Sequence, residues 1–148
     1  MNESKDDQEK STIPESTLEK VAEFHRAFDT PVQPCPTIPD PDRRDLRVEL
    51  IREELKELDE ADDIVEIADA LVDLHYVVMG SVLEYGLQEI FVELLDEIHD
   101  SNMSKLDDEG NPIFRKDGKI LKSDNYRPPE LAKIILNERN FIKNEGTE

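Results

Sequence analysis

Glu53, Glu54, Glu57, Asp69 and Asp73 are the residues of this chain whose type and spacing point to chemistry. They fall in the stretch ELIREELKELDEADDIVEIADALVDLHYVV, residues 49–78, at positions where a helix would ordinarily place core. On a helical wheel Asp62, Glu66, Asp69 and Asp73 lie within about 60° of one another. Ile64, Val65, Ile67, Ala68, Leu71, Val72, Leu74, Val77, Val78 and Met79 cover most other directions, so the second half reads as a buried helix with one narrow acidic ridge. In the first half, Leu46 and Leu50 form one apolar strip and Ile51, Leu55 and Leu58 another. Glu54 and Glu57 lie in the arc between the strips, and Glu53 borders it. If the two helices pack antiparallel through the short DEADD connection, five carboxylates share one small volume. Like charges so close raise one another's pKa unless a cation sits among them, and hard oxygen ligands favour Mg²⁺, Mn²⁺ or Ca²⁺ over zinc.

The charge balance says what such a site would handle. Net charge is −19, which argues against binding nucleic-acid polymers or anionic lipid surfaces. Residues 1–100 hold 28 acidic and 9 basic side chains, whereas residues 101–148 hold 9 of each. Between Ile113 and Arg127 five basic residues, Arg115, Lys116, Lys119, Lys122 and Arg127, face two acidic ones and form the basic patch of the sequence. Carboxylates holding a divalent metal beside a basic segment suit a phosphorylated substrate: metal neutralises phosphate oxygens and activates water, while Lys and Arg bind the outer phosphates. The reaction class implied is phosphoanhydride hydrolysis. A glycine-rich phosphate-cradling loop is missing from the sequence, so it does not read as a P-loop enzyme.

Five helices and a hairpin are expected to position these residues. Ser16 with Glu19 resembles a capping box, and Leu18, Val21, Ala22, His25 and Phe28 follow it at helical spacing. Prolines 31, 34, 36, 39 and 41 then impose a stiff, irregular connector. Asp40 and Pro41 open a second helix running to about Asp59, and a third runs from about Asp63 to Tyr85, where Gly86 interrupts it. Leu87, Ile90, Phe91, Leu94, Leu95 and Ile98 give a fourth helix a strong apolar face. Together with the third helix this is more than one small chain covers, which predicts a dimer. Lys116, Asp117 and Gly118 between two short β-prone runs predict a hairpin, and Pro129 opens a final short helix. By domain, residues 1–13 read as a disordered tail, 14–136 as the working domain and 137–148 as a frayed end.

With 148 residues the chain has room for one domain. Cys35 is the sole cysteine, no apolar run approaches the roughly 20 residues of a membrane span, and the first residues lack a signal peptide's apolar region, so a cytoplasmic protein is expected.

The ordered set of motifs EFHRAF (Glu23–Phe28), EELKE (Glu53–Glu57), IADALVDLHYVV, SNMSK (Ser101–Lys105), GNPIFRKDGKILK (Gly110–Lys122) and NYRPPEL (Asn125–Leu131) resembles the MazG-like all-α nucleoside triphosphate pyrophosphohydrolases, in particular the phosphoribosyl-ATP pyrophosphohydrolase-like branch. The resemblance covers about residues 18–132. It implies an all-α, four- to five-helix bundle with a short C-terminal β-hairpin, assembled as a homodimer or dimer of dimers. The implied enzyme uses Mg²⁺, with Mn²⁺ as the alternative, to split a nucleoside triphosphate into monophosphate and pyrophosphate. By this likeness Glu54, Glu57 and Asp73 are metal ligands, and Glu53 binds metal or helps activate water. Asn102, Lys105, Lys119, Lys122, Asn125 and Tyr126 are the substrate-binding positions. The family pattern would place a glutamate at position 70, which is Ala70 here, so Asp69 takes over the ligand role, with Glu66 one turn away.

The hairpin and the proline connector favour house-cleaning of ordinary or damaged deoxynucleotides over phosphoribosyl-ATP hydrolysis in histidine biosynthesis. A third reading is a non-catalytic acidic helical protein that binds a basic partner. Plainer readings accompany individual residues. EELKE would be a solvated helix face, Asp69 and Asp73 would pair with Arg47 or Arg52, and the basic hairpin would be an exposed turn balancing charge. The three histidines would be packing residues, Tyr76 core or site wall, and Cys35 incidental.

Overall fold

The structure, a computed structural model, describes residues 13–145, with side chains over 17–138. Among the described residues there are five α-helices: α1 (Ile13–Ala27), α2 (Pro41–Glu60), α3 (Ile64–Glu84), α4 (Phe91–Met103) and α5 (Leu131–Glu145). A hairpin, β1 (Ile113–Phe114) and β2 (Ile120–Leu121), precedes α5. The fold class is the expected one, mostly helical with a small antiparallel hairpin. The proposed tail lies, up to residue 12, outside the described residues.

The chain divides into two compact units, the first holding α1, α2 and α3 and the second residues 33–38 with everything after Glu84. In the first unit α3 packs against both α1 and α2. Leu18 and Val21 of α1 and Ala70, Met79, Val82 and Leu83 of α3 form its buried apolar core. Each of these side chains except the small Ala70 contributes about 1.5–3 kcal/mol by leaving water. Helix α1 starts at Ile13, so Ser16 lies inside its first turns rather than ahead of them. Pro41 opens α2 as expected, although the Asp40 side chain makes no cap hydrogen bond.

Two expectations for α3 need correction. Asp62 is not on its ridge, because the helix begins at Ile64. Asp63 caps it instead, its Oδ1 accepting the backbone N–H of Val65 at 2.8 Å and of Glu66 at 2.9 Å. Glu66 reaches back to accept the N–H of Asp62 at 3.0 Å. Nor is α3 buried all round within the chain: Ile64, Val65, Leu71 and Val72 are exposed, because α1 and α2 cover only part of its circumference.

In the second unit a single 3₁₀ turn, Gln88–Ile90, leads into α4, and α4 packs against α5. Residues 33–38 run against the start of this unit, where Thr37 N–H donates to Tyr85 O at 3.0 Å and Gln88 Nε2 donates to Gln33 O at 2.7 Å. Gly86 sits beneath them at φ +68°, and a Cβ there would overlap the Cys35 carbonyl. In the hairpin Ile113 pairs with Leu121 and Phe114 with Ile120, and Gly118 turns the chain at φ +85°.

Candidate active site

The three-residue connection between α2 and α3, with their mutual packing, makes them antiparallel neighbours. Contacts along the pair run in opposite directions accordingly, from Arg43 against Glu84 to Arg47 against Ser81, and farther along the charges of Asp73 and Asp69 act on Glu54. Glu54 is the centre of the acidic group. It is half-buried, and its Oε2 is buried with no hydrogen-bond partner among the described residues. Its carboxyl is held above the usual range, first by burial and then by the negative charges of Glu57, Asp73, Glu53 and Asp69. The four residues expected to share a volume with Glu54 are therefore the four that act on it. Glu53, Glu57 and Asp69 are exposed and Asp73 is half-buried. Beside them opens a cleft of about 250 Å³ lined by Glu57, Glu60, Ala61, Glu66 and Asp69.

The donor set suits a hard divalent cation, since a buried carboxylate oxygen without a hydrogen bond, among four like charges, is stabilised by an ion and by little else. The expected cage is nonetheless not closed. Among the described residues no three His, Cys, Asp or Glu side chains stand close enough to hold an ion as they are. At the departure from the family pattern, Ala70 is buried at 2 % exposure while Asp69 acts on Glu54. Glu66 is engaged in the α3 cap through Oε2. Neither Asp69 nor Asp73 forms an ion pair among the described residues: Arg47 is committed to Glu84 and Arg52 to Glu49.

The expected substrate-binding residues belong to the second unit and fall into smaller groups. Lys105 Nζ donates to Asn102 Oδ1 at 2.8 Å across one turn at the end of α4. Lys122 and Asn125 line a cavity of about 190 Å³ with Asp107, Asp108, Ile113, Ser123 and Asp124. Lys122 Nζ stands 4.3 Å from the Tyr126 ring centroid, and Asn125 Nδ2 donates to Asp108 at 2.8 Å. Lys119 lies exposed in the hairpin turn, where its carbonyl accepts from Arg115 N–H at 2.8 Å, and it joins neither group. Two of the five patch cations are already paired, Arg115 with Asp117 and Arg127 with Glu97.

A family model described as phosphoribosyl-ATP pyrophosphohydrolase matches residues 21–102, more than half of the 148 residues and inclusive of all five carboxylates. The chain belongs to the phosphoribosyl-ATP pyrophosphohydrolase family. This family member is therefore an enzyme, a nucleotide pyrophosphohydrolase of the MazG-like kind that cleaves a phosphoanhydride bond, and the reading as a non-catalytic binding protein is set aside. The match ends at Asn102, so Lys105, Lys119, Lys122, Asn125 and Tyr126 lie beyond it. No curated protein matches the chain.

Sequence reasoning missed the network at the other end of the α2–α3 pair. Glu84, 1 % exposed, accepts from Arg43 Nη2 at 2.6 Å and from Arg47 Nη1 at 3.5 Å. Arg47, itself 6 % exposed, also donates to Ser81 Oγ at 3.1 Å and to the Val77 carbonyl. Gly80 makes room for that guanidinium, since a Cβ there would overlap Arg47 Nη2. The available signal was register: Arg47 precedes Glu54 by seven residues, on the same inward face of α2. No helix of the described residues is long and apolar enough to cross a membrane.

Proposed function

We propose that this family member is a Mg²⁺-dependent nucleoside triphosphate pyrophosphohydrolase of the house-cleaning kind. It releases nucleoside monophosphate and pyrophosphate from ordinary or damaged deoxynucleotides and works as a homodimer or dimer of dimers. The observation that carries the reading is the buried oxygen of Glu54, which has no hydrogen-bond partner among the described residues and whose carboxyl feels the charges of Glu57, Asp73, Glu53 and Asp69. Glu54, Glu57, Asp69 and Asp73 offer the oxygen ligands, and Mg²⁺ when bound supplies charge neutralisation at the phosphate oxygens and a more acidic water. Glu53, exposed beside them, takes the proton of the attacking water. The new bond forms at the α-phosphorus, the bond to the bridging oxygen breaks, and pyrophosphate leaves. Lys105, Lys119 and Lys122 steady the outer phosphates as cations.

A second reading, hydrolysis of phosphoribosyl-ATP, is favoured by the description of the matched family. The two are separated by incubating the purified protein with Mg²⁺ and a panel of nucleoside and deoxynucleoside triphosphates together with phosphoribosyl-ATP, beside an Asp73→Asn control, with products resolved by chromatography. Monophosphate and pyrophosphate, absent with a folded control, are expected. Turnover of phosphoribosyl-ATP alone would move the assignment to the second reading. Full activity of folded Asp73→Asn would remove Asp73 from the site.

A further inference from the structure

Phe24 and Phe28 stack on each other, ring centroids 4.4 Å apart and planes at 30°, yet both face solvent, at 43 % and 68 % exposure. The other apolar residues of the same face are buried, Leu18 at 8 % and Val21 at 0 %. The pair is not turned outward by a loose helix. His25, between them, is 2 % exposed, and its Nδ1 lies 2.9 Å from the Pro31 carbonyl, which fixes the rotation of α1. The third ring is Tyr76 of α3, meeting Phe24 edge-on at 5.8 Å and 87°. Asp69, Asp73 and Tyr76 span an arc of about 60° on α3, and Tyr76 follows Asp73 by about 4.5 Å along the helix axis. An open aromatic shelf thus begins one helical turn from the carboxylates, within the same unit.

We propose that Phe24, Phe28 and Tyr76 are the stacking platform for the nucleobase of the substrate. The proposal rests on the nucleotide-hydrolase reading above and adds where the base is held. Aromatic faces bind any base through its π-face, which suits an enzyme acting on several nucleotides. Two ready-stacked rings lose little side-chain freedom on receiving a third. The phosphates are then directed toward the carboxylate ridge, and the triphosphate carries the charge-dependent part of binding.

The full-length enzyme tests this by kinetics and by binding. Phe28→Ala and Phe24→Ala are expected to raise KM for a cleaved nucleotide roughly ten- to hundredfold while kcat changes far less, and Phe28→Tyr to restore it. The chain contains no tryptophan. Phe28→Trp therefore adds the one tryptophan, whose emission, excited apart from the tyrosines, a nucleoside monophosphate is expected to quench on titration and inorganic pyrophosphate is not. Unchanged KM in folded Phe28→Ala, or equal quenching by pyrophosphate, would overturn the platform. So would a halved sedimentation mass with unaltered KM, which would assign the rings to a contact between copies. The titration reads binding alone, so the platform stands or falls separately from any failure to find turnover.

Discussion

Glu54 carries a charge that the fold disfavours. Its ionised form is disfavoured by burial and by four neighbouring charges, so its carboxyl protonates more readily folded than unfolded. A raised carboxyl contributes stability at low pH that is lost as pH rises through the folded value. The metal-free protein is therefore expected to be less stable at neutral than at mildly acid pH with respect to this group. Glu54→Gln removes the charge. Its melting temperature in chelator should match the wild type at low pH and exceed it at neutral pH. The same variant should lose activity and the upward shift in melting temperature on adding Mg²⁺. Thermal scans with chelator and with Mg²⁺, at two pH values, decide both points. That Glu54 turns inward was legible in the sequence because it stands in the arc between two apolar strips. The engagement of Glu66 was not, since it depends on that side chain folding back to cap α3.

At the scale of elements, three features hold the helices to their tasks. Asp63 starts α3 at Ile64 and so sets the phase on which Asp69 and Asp73 depend. Asp63→Ala should cost about 1 kcal/mol, seen as a lower urea midpoint at unchanged slope. The Arg43–Glu84–Arg47 network fastens α2 to the end of α3 remote from the carboxylates. Glu84→Gln leaves the Arg47 guanidinium buried with a weaker partner and should cost about 3 kcal/mol in the same measurement. In the second unit Gly86→Ala should cost about 1–2 kcal/mol from the left-handed backbone alone, with the overlap on the Cys35 carbonyl added to it. Loss of protection at the Thr37 amide in hydrogen exchange would locate that damage, because this amide bonds Tyr85 just before the glycine. The boundaries of α2, α3 and the hairpin were largely readable from Pro41, the apolar periodicity and the Asp117–Gly118 step. The start of α1 was misplaced because Ser16 and Glu19 carry a capping-box spacing that the helix overruns.

At the scale of the whole molecule, the exposed apolar residues of α3 are the feature that calls for a partner surface. Ile64 at 76 %, Val65 at 73 % and Val72 at 64 % are too exposed for a helix of this composition to stand alone comfortably in water. Sedimentation is expected to give at least two chains per particle. Val72→Glu is expected to lower that mass, and a wild-type mass of one chain with an unchanged variant would contradict it. The sequence by itself determined the helical class, the acidic ridge and the family, because helical phase and motif order are local and survive being read in one dimension. The tertiary structure decided which charges meet. It assigned Arg47 to Glu84 and, among the described residues, left Asp69 and Asp73 without an ion pair and the buried Glu54 oxygen without a partner. Arginine reaches any of several carboxylates on a wheel, and only the approach of one helix to another selects among them.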